Sequence, residues 1–96
     1  MTVEELRGVN RERILQLAAR YGARNVRLFG SVARGESSAS SDIDFLVDLD
    51  SDRTLMDLGG LLIELQDMLH ARVDVATGTM LRQKVRERAL REAVPL

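Results

Sequence analysis

Asp42 and Asp44 stand two apart in Asp42-Ile43-Asp44-Phe45-Leu46-Val47, a run that otherwise reads as a β-strand. Side chains alternate across a strand, so Ile43, Phe45 and Val47 share one face and the two acids the other. A carboxylate on a half-buried face is costly unless it is paired, protonated or bound to a cation. Two such groups a side-chain width apart repel, and a hard divalent cation relieves the repulsion. A bare Asp-x-Asp is also what the solvent face of a sheet carries, so the pair needs support. Asp74 supplies some, lying between Val73 and Val75 in a second β-prone run from Arg72 to Thr77. If the two strands are neighbours, three carboxylates meet on one patch. Such a patch suits two Mg2+ ions, which can align the attacking and leaving oxygens of a phosphoryl group.

Gly30-Ser31 closes a third β-prone run, Val26-Arg27-Leu28-Phe29. A glycine between a strand and a turn lets backbone N–H groups approach a phosphate closely. If Ser31 begins a helical turn through Val32-Ala33-Arg34, its N–H and hydroxyl stand where anions are favoured, and Arg34 can reach the same phosphates. Gly-Ser alone is merely a turn; beside the acids it forms a phosphate cradle facing a metal site.

The elements that must hold these residues follow from periodicity. Thr2 and Glu5 have capping-box spacing, Gly8 weakens that helix, and Asn10 is a second possible cap. Ile14, Leu17, Ala18 and Tyr21 then fall on one helical face, and Gly22 stands at its end. After the Val26–Phe29 strand comes a loop containing Ser37-Ser38-Ala39-Ser40-Ser41, then the Asp42–Val47 strand and a loop from Asp48 to Arg53. Thr54 and Asp57 can cap a helix whose apolar stripe is Leu58, Leu61, Leu62, Leu65 and Leu69. The Arg72–Thr77 strand follows. Thr79 is a candidate cap for a last helix with Leu81, Val85 and Ala89 on one side, stopping before Pro95. The order α-β-β-α-β-α predicts an α/β (α+β) fold, a small mixed sheet with flanking helices, as a single domain over residues 1–96.

Composition narrows the function. A chain of 96 residues, 45% apolar and 30% charged, can form one modest core. Its net charge of −1 argues against a nucleic-acid-binding module, which would carry a basic excess. There is no cysteine, so thiolate metal sites and disulfides are excluded. The acidic start does not have the form of a signal peptide, and no apolar run approaches the roughly 20 residues of a membrane span. A cytoplasmic protein is expected, with no membrane contact.

Gly30-Ser31, ten residues, then Asp42-Ile43-Asp44 resembles the signature of the DNA polymerase beta-like nucleotidyltransferase superfamily. Gly30-Ser31-Val32-Ala33-Arg34-Gly35, Ser41-Asp42-Ile43-Asp44-Phe45, the later Arg72-Val73-Asp74-Val75 and the closing Leu90–Leu96 segment resemble its smallest members, the minimal nucleotidyltransferases. The resemblance covers nearly the whole chain and implies a polymerase beta-like fold. It implies that Asp42, Asp44 and Asp74 are catalytic and hold two Mg2+ ions, with Asp74 also a base. It gives Gly30, Ser31 and, as a helper, Arg34 to the triphosphate of ATP. Minimal nucleotidyltransferases commonly pair with a HEPN-domain toxin, and several silence it by adding AMP to a tyrosine. The resemblance therefore implies an antitoxin that adenylylates a HEPN partner within a hetero-oligomer. A binding subunit that inhibits the partner by contact alone stays open beside it. Transfer to an antibiotic is disfavoured, since it needs a recognition domain.

Other signals are weaker. Asp48, Asp50 and Asp52 alternate like an EF-hand loop, but Arg53 stands where glycine is required and Gly59 where glutamate is. They read as a solvated loop. His70 lacks a second imidazole and reads as a helix-end residue. Arg82, Lys84, Arg86, Arg88 and Arg91 read as the solvated face of the last helix.

Overall fold

The computed structural model describes residues 1–8, 10–36 and 42–96. In chain order these form α1 (Val3–Arg7), α2 (Arg11–Arg20), β1 (Ala23–Phe29), α3 (Gly30–Ala33), β2 (Ile43–Leu49), α4 (Leu55–Leu69) and β3 (Val73–Ala76). A 3-10 turn (Gly78–Met80), α5 (Gln83–Glu92) and β4 (Val94–Pro95) complete the chain.

Local chemistry sets the main boundaries. Thr2 Oγ1 accepts from Glu5 N–H at 3.2 Å and opens α1. At Thr54 the backbone N–H donates to Asp57 Oδ2 at 2.9 Å, while Oγ1 accepts from Met56 N–H at 3.2 Å; this reciprocal cap starts α4. α4 ends at His70, which adopts the left-handed conformation, φ +52°. The helix buries Leu58, Leu61, Leu65 and Leu69, with Leu62 at the edge of the core. Burying a leucine contributes roughly 1.5–3 kcal/mol, so this stripe is a main source of stability.

The sheet order is β3-β2-β1-β4. β1 runs antiparallel to both β2 and β4, and β2 runs parallel to β3 through the α4 crossover. One face carries Val26 and Leu28, Ile43, Phe45 and Val47, and Val73 and Val75; all are buried in the core beneath α2 and α4. The other carries Phe29, Asp44, Leu46 and Asp74. α5 and the 3-10 turn pack onto that second face.

Several expectations are revised. The N-terminal helix is two helices, and Asn10 makes no side-chain cap hydrogen bond. Thr79 lies inside the 3-10 turn, and α5 begins after Arg82, which offers no capping side chain. Of the expected α5 stripe only Ala89 is buried, and Val85 is half exposed, because α5 touches the sheet through its C-terminal half. β2 extends to Leu49, taking Asp48 out of the expected loop and against Arg27 Nη2 at 2.9 Å. β4 is an added strand: Leu96 N–H donates to Val26 O at 3.0 Å, and Arg7 and Arg11 donate to the carbonyls of Pro95 and Leu96. The expected loop at positions 37–41 lies outside the described residues.

Candidate active site

β1 ends in an extended Phe29 and turns at Gly30, φ +71°, into the short helix α3. The helical turn expected at Ser31 thus begins one residue earlier. Gly30 is required twice over. Its positive φ strains any L side chain, and a Cβ there would collide with Asp44 Oδ2. The glycine turn and the carboxylate are built against each other.

Register supplies the rest. Phe29 pairs with Asp44 across β1 and β2, and Asp44 pairs with Asp74 across β2 and β3. Paired residues of adjacent strands project to the same face, so the two carboxylates are neighbours. The adjacency on which the sequence argument depended is therefore met. Asp44 is half-buried, whereas Asp74 is exposed. Burial, and after it the negative charges of Asp74 and Asp42, push the Asp44 carboxyl up from 3.8 to about 6; Arg34 opposes them.

Asp42 lies just before β2, near enough for its charge to act on Asp44, and is paired with a cation. Its Oδ1 accepts from Arg72 Nε at 3.0 Å. Among the described residues no group of three or more His, Cys, Asp or Glu side chains is gathered to hold a metal ion. In place of the expected three-acid cluster the described residues show a neighbouring pair, Asp44 and Asp74, with Asp42 near it and ion-paired to Arg72. That restraint is slight: Asp42 is 51% and Arg72 74% exposed, and such surface pairs contribute only about 0–1 kcal/mol. The donor set suits a hard cation. It consists of carboxylate oxygens alone, and its most buried member carries uncompensated like charge.

Arg34 caps the C-terminal end of α3. Its Nε donates to Glu36 Oε2 and its Nη1 to Glu92 Oε2, both at 3.0 Å. These carboxylates hold the guanidinium firmly protonated. Glu92 also accepts from Arg88 Nε at 3.1 Å, and the two arginines, Arg88 foremost, draw its carboxyl below the usual range. Sequence reasoning passed over Arg88 and Glu92. Their i, i+4 spacing was readable, but the link from Glu92 to Arg34 spans 58 residues and needs the fold.

The arrangement juxtaposes a glycine turn, a cation and a carboxylate pair on one open sheet face, the elements of a phosphoryl-transfer site. Comparison with known proteins agrees. Residues 11–96 match the nucleotidyltransferase domain family. The protein adenylyltransferase MntA of Thermococcus cleftensis is 33% identical over 94 residues, spanning 98% of this chain and 95% of that one. A protein of Methanocaldococcus jannaschii named as a protein adenylyltransferase is 34% identical over 94 residues, spanning 98% and 97%. A solved minimal nucleotidyltransferase is 48% identical, with a TM-score of 0.87 over 100% of this chain and 97% of that one. A toxin–antitoxin complex solved with AMP-PNP contains the same fold, with a TM-score of 0.77 at 20% identity over 91% and 72% of the two chains. With a family match from residue 11 to the last residue and relatives aligned almost end to end, the chain belongs to the nucleotidyltransferase domain family.

Proposed function

We propose that this chain transfers AMP from ATP to a protein hydroxyl, a tyrosine of a HEPN-domain toxin partner, and so acts as the antitoxin of the pair. The observation that carries the reading is the register that sets Asp44 between the Gly30 turn and Asp74. The relatives named as protein adenylyltransferases support a protein acceptor. The HEPN partner follows from the resemblance of the Gly30-Ser31 and Asp42-Ile43-Asp44 motifs to minimal nucleotidyltransferases. A cytoplasmic location is part of the same reading, and no helix among the described residues is long and apolar enough to cross a membrane.

In this mechanism Gly30 and Ser31 receive the triphosphate through backbone N–H groups and the Ser31 hydroxyl, and Arg34 neutralises its charge. Asp42, Asp44 and Asp74 would hold two Mg2+ ions, which when bound polarise the phosphate and lower the charge repelling an incoming oxygen. Asp74, the exposed member of the pair, takes the proton of the acceptor hydroxyl. The hydroxyl oxygen forms a bond to the α-phosphorus, the bond to the β-phosphate bridging oxygen breaks, and pyrophosphate leaves. Most of the rate comes from alignment and charge neutralisation, since direct transfer from ATP to the acceptor hydroxyl needs no covalent enzyme intermediate.

Intact-mass spectrometry of the partner after incubation with this protein, ATP and Mg2+ tests the reading. A gain of one or more AMP units, absent with Asp42→Asn/Asp44→Asn, is the expected result. An unmodified partner held in a tight complex would replace transfer by inhibition through contact.

A further inference from the structure

Between the Gly30 turn and α5 lies a cavity of 190 Å³, lined by Phe29, Gly30, Arg34, Arg88, Ala89 and Glu92, with Val85 at its edge. It is smaller than the roughly 300 Å³ at which pockets begin to enclose whole ligands, so it suits part of a nucleotide. Its wall is Gly30, the residue pressed against Asp44. The cavity therefore adjoins the carboxylate pair.

Its polar lining is one carboxylate between two guanidiniums. Glu92 Oε2 accepts from Arg34 Nη1 at 3.0 Å, and Glu92 Oε1 accepts from Arg88 Nε at 3.1 Å. Glu36 Oε2 also accepts from Arg34 Nε at 3.0 Å. An anion bound through separate oxygens by two arginines is the arrangement a phosphate group would take, and a phosphate offers more charge and more acceptor oxygens than a carboxylate. Arg88 is 62% exposed, and an exposed i, i+4 pair is only weakly held. The hold of Arg88 on Glu92 is therefore weak, and exchange of Glu92 depends on breaking its less exposed pair with Arg34.

Resting on the nucleotidyl-transfer reading, we propose that this cavity receives the terminal phosphates of the nucleotide on Arg34 and Arg88, and that Glu92 is an internal anion occupying their place until nucleotide displaces it. Arg88 is then a phosphate-binding residue on α5, outside the Gly-Ser turn. Glu92 sets the affinity: it keeps both guanidiniums aimed at one point while competing with the ligand for them. Because Glu92 joins α5 to α3, its displacement also releases a tie between those helices.

Titration calorimetry with ATP, AMP and inorganic tripolyphosphate, on wild type, Arg88→Ala, Arg88→Lys and Glu92→Gln, tests this. Loss of a charge-assisted hydrogen bond predicts that Arg88→Ala binds ATP and tripolyphosphate about tenfold more weakly and AMP as before. Arg88→Lys, which keeps the charge and loses the fork, falls between. Glu92→Gln, which keeps the shape and removes the competing charge, binds both polyphosphates more tightly; a merely structural glutamate would not give that gain. In turnover, Arg88→Ala raises KM for ATP and leaves kcat within about twofold. Unchanged polyphosphate binding by Arg88→Ala, or weaker binding by Glu92→Gln, overturns the proposal while leaving nucleotidyl transfer standing. A wild-type protein that binds neither ATP nor tripolyphosphate removes both.

Discussion

Asp44→Asn is expected to stabilise the metal-free protein while abolishing its activity. The fold holds Asp44 half-buried beside Asp74, with Asp42 near, and these surroundings raise its carboxyl from 3.8 to about 6. The folded chain thus binds this proton more tightly than the unfolded chain. Ionising Asp44 costs stability in full above about pH 6, and the cost fades as pH falls toward 4. A tenfold difference in proton affinity corresponds to about 1.4 kcal/mol, so the undiscounted cost is about 3 kcal/mol. Asp44 is only partly buried, and screening by water reduces this to about 1 kcal/mol. In a domain of this size about 1 kcal/mol moves Tm by roughly 4–8 °C. The assay is thermal unfolding of both proteins in EDTA across the acid-to-neutral range. The variant should melt higher at neutral pH, the difference should vanish near pH 4, and saturating Mg2+ should restore the wild type toward the variant. A variant that melts at or below wild type at neutral pH in EDTA would refute the claim that Asp44 carries uncompensated charge.

Two further substitutions separate geometry from charge. Gly30→Ala forces a Cβ into Asp44 at a φ of +71° and should cost about 1–3 kcal/mol in a denaturant titration, with turnover lost even at temperatures where the variant stays folded. Asp74→Asn changes an exposed side chain, so its melting temperature should stay within about 2 °C of wild type. Under the proposed mechanism, in which Asp74 is both base and metal ligand, it should lower kcat by at least about a hundredfold. A pre-steady-state comparison at saturating ATP would show that loss in the chemical step.

What could be read from the chain and what could not divide along a physical line. The alternation in Ile43, Phe45 and Val47 fixes which face of β2 is apolar, and hence that Asp44 faces away from the core, because strand periodicity is local. Thr54 and Asp57 announce α4 for the same reason: both partners of the cap lie within one turn. The Asp44–Asp74 adjacency entered the sequence argument only as a condition, because strand pairing is set by the fold and not by local spacing. Pairings formed across the fold left no such trace. Arg34 with Glu92 and Leu96 with Val26 depend on tertiary placement. Arg72 with Asp42 joins the ends of two neighbouring strands, and nothing in the spacing shows that Asp42 would turn to it. The α5 stripe misled because its helix lies against the sheet by one small residue, Ala89, and leaves Val85 half exposed. Arg88 is solvent-exposed as its charge pattern suggested, but its pairing with Glu92, and through Glu92 with Arg34, depends on the fold.

The most direct test of the site is a crystal structure of the protein grown with Mn2+ and a non-hydrolysable ATP analogue, read by anomalous scattering. The account predicts two metal peaks bridged by Asp42 and Asp44, with Asp74 on one of them, Asp42 released from Arg72, and the α-phosphate beside the Gly30 turn. Metal or nucleotide bound elsewhere, with Asp42 still held by Arg72, would contradict it.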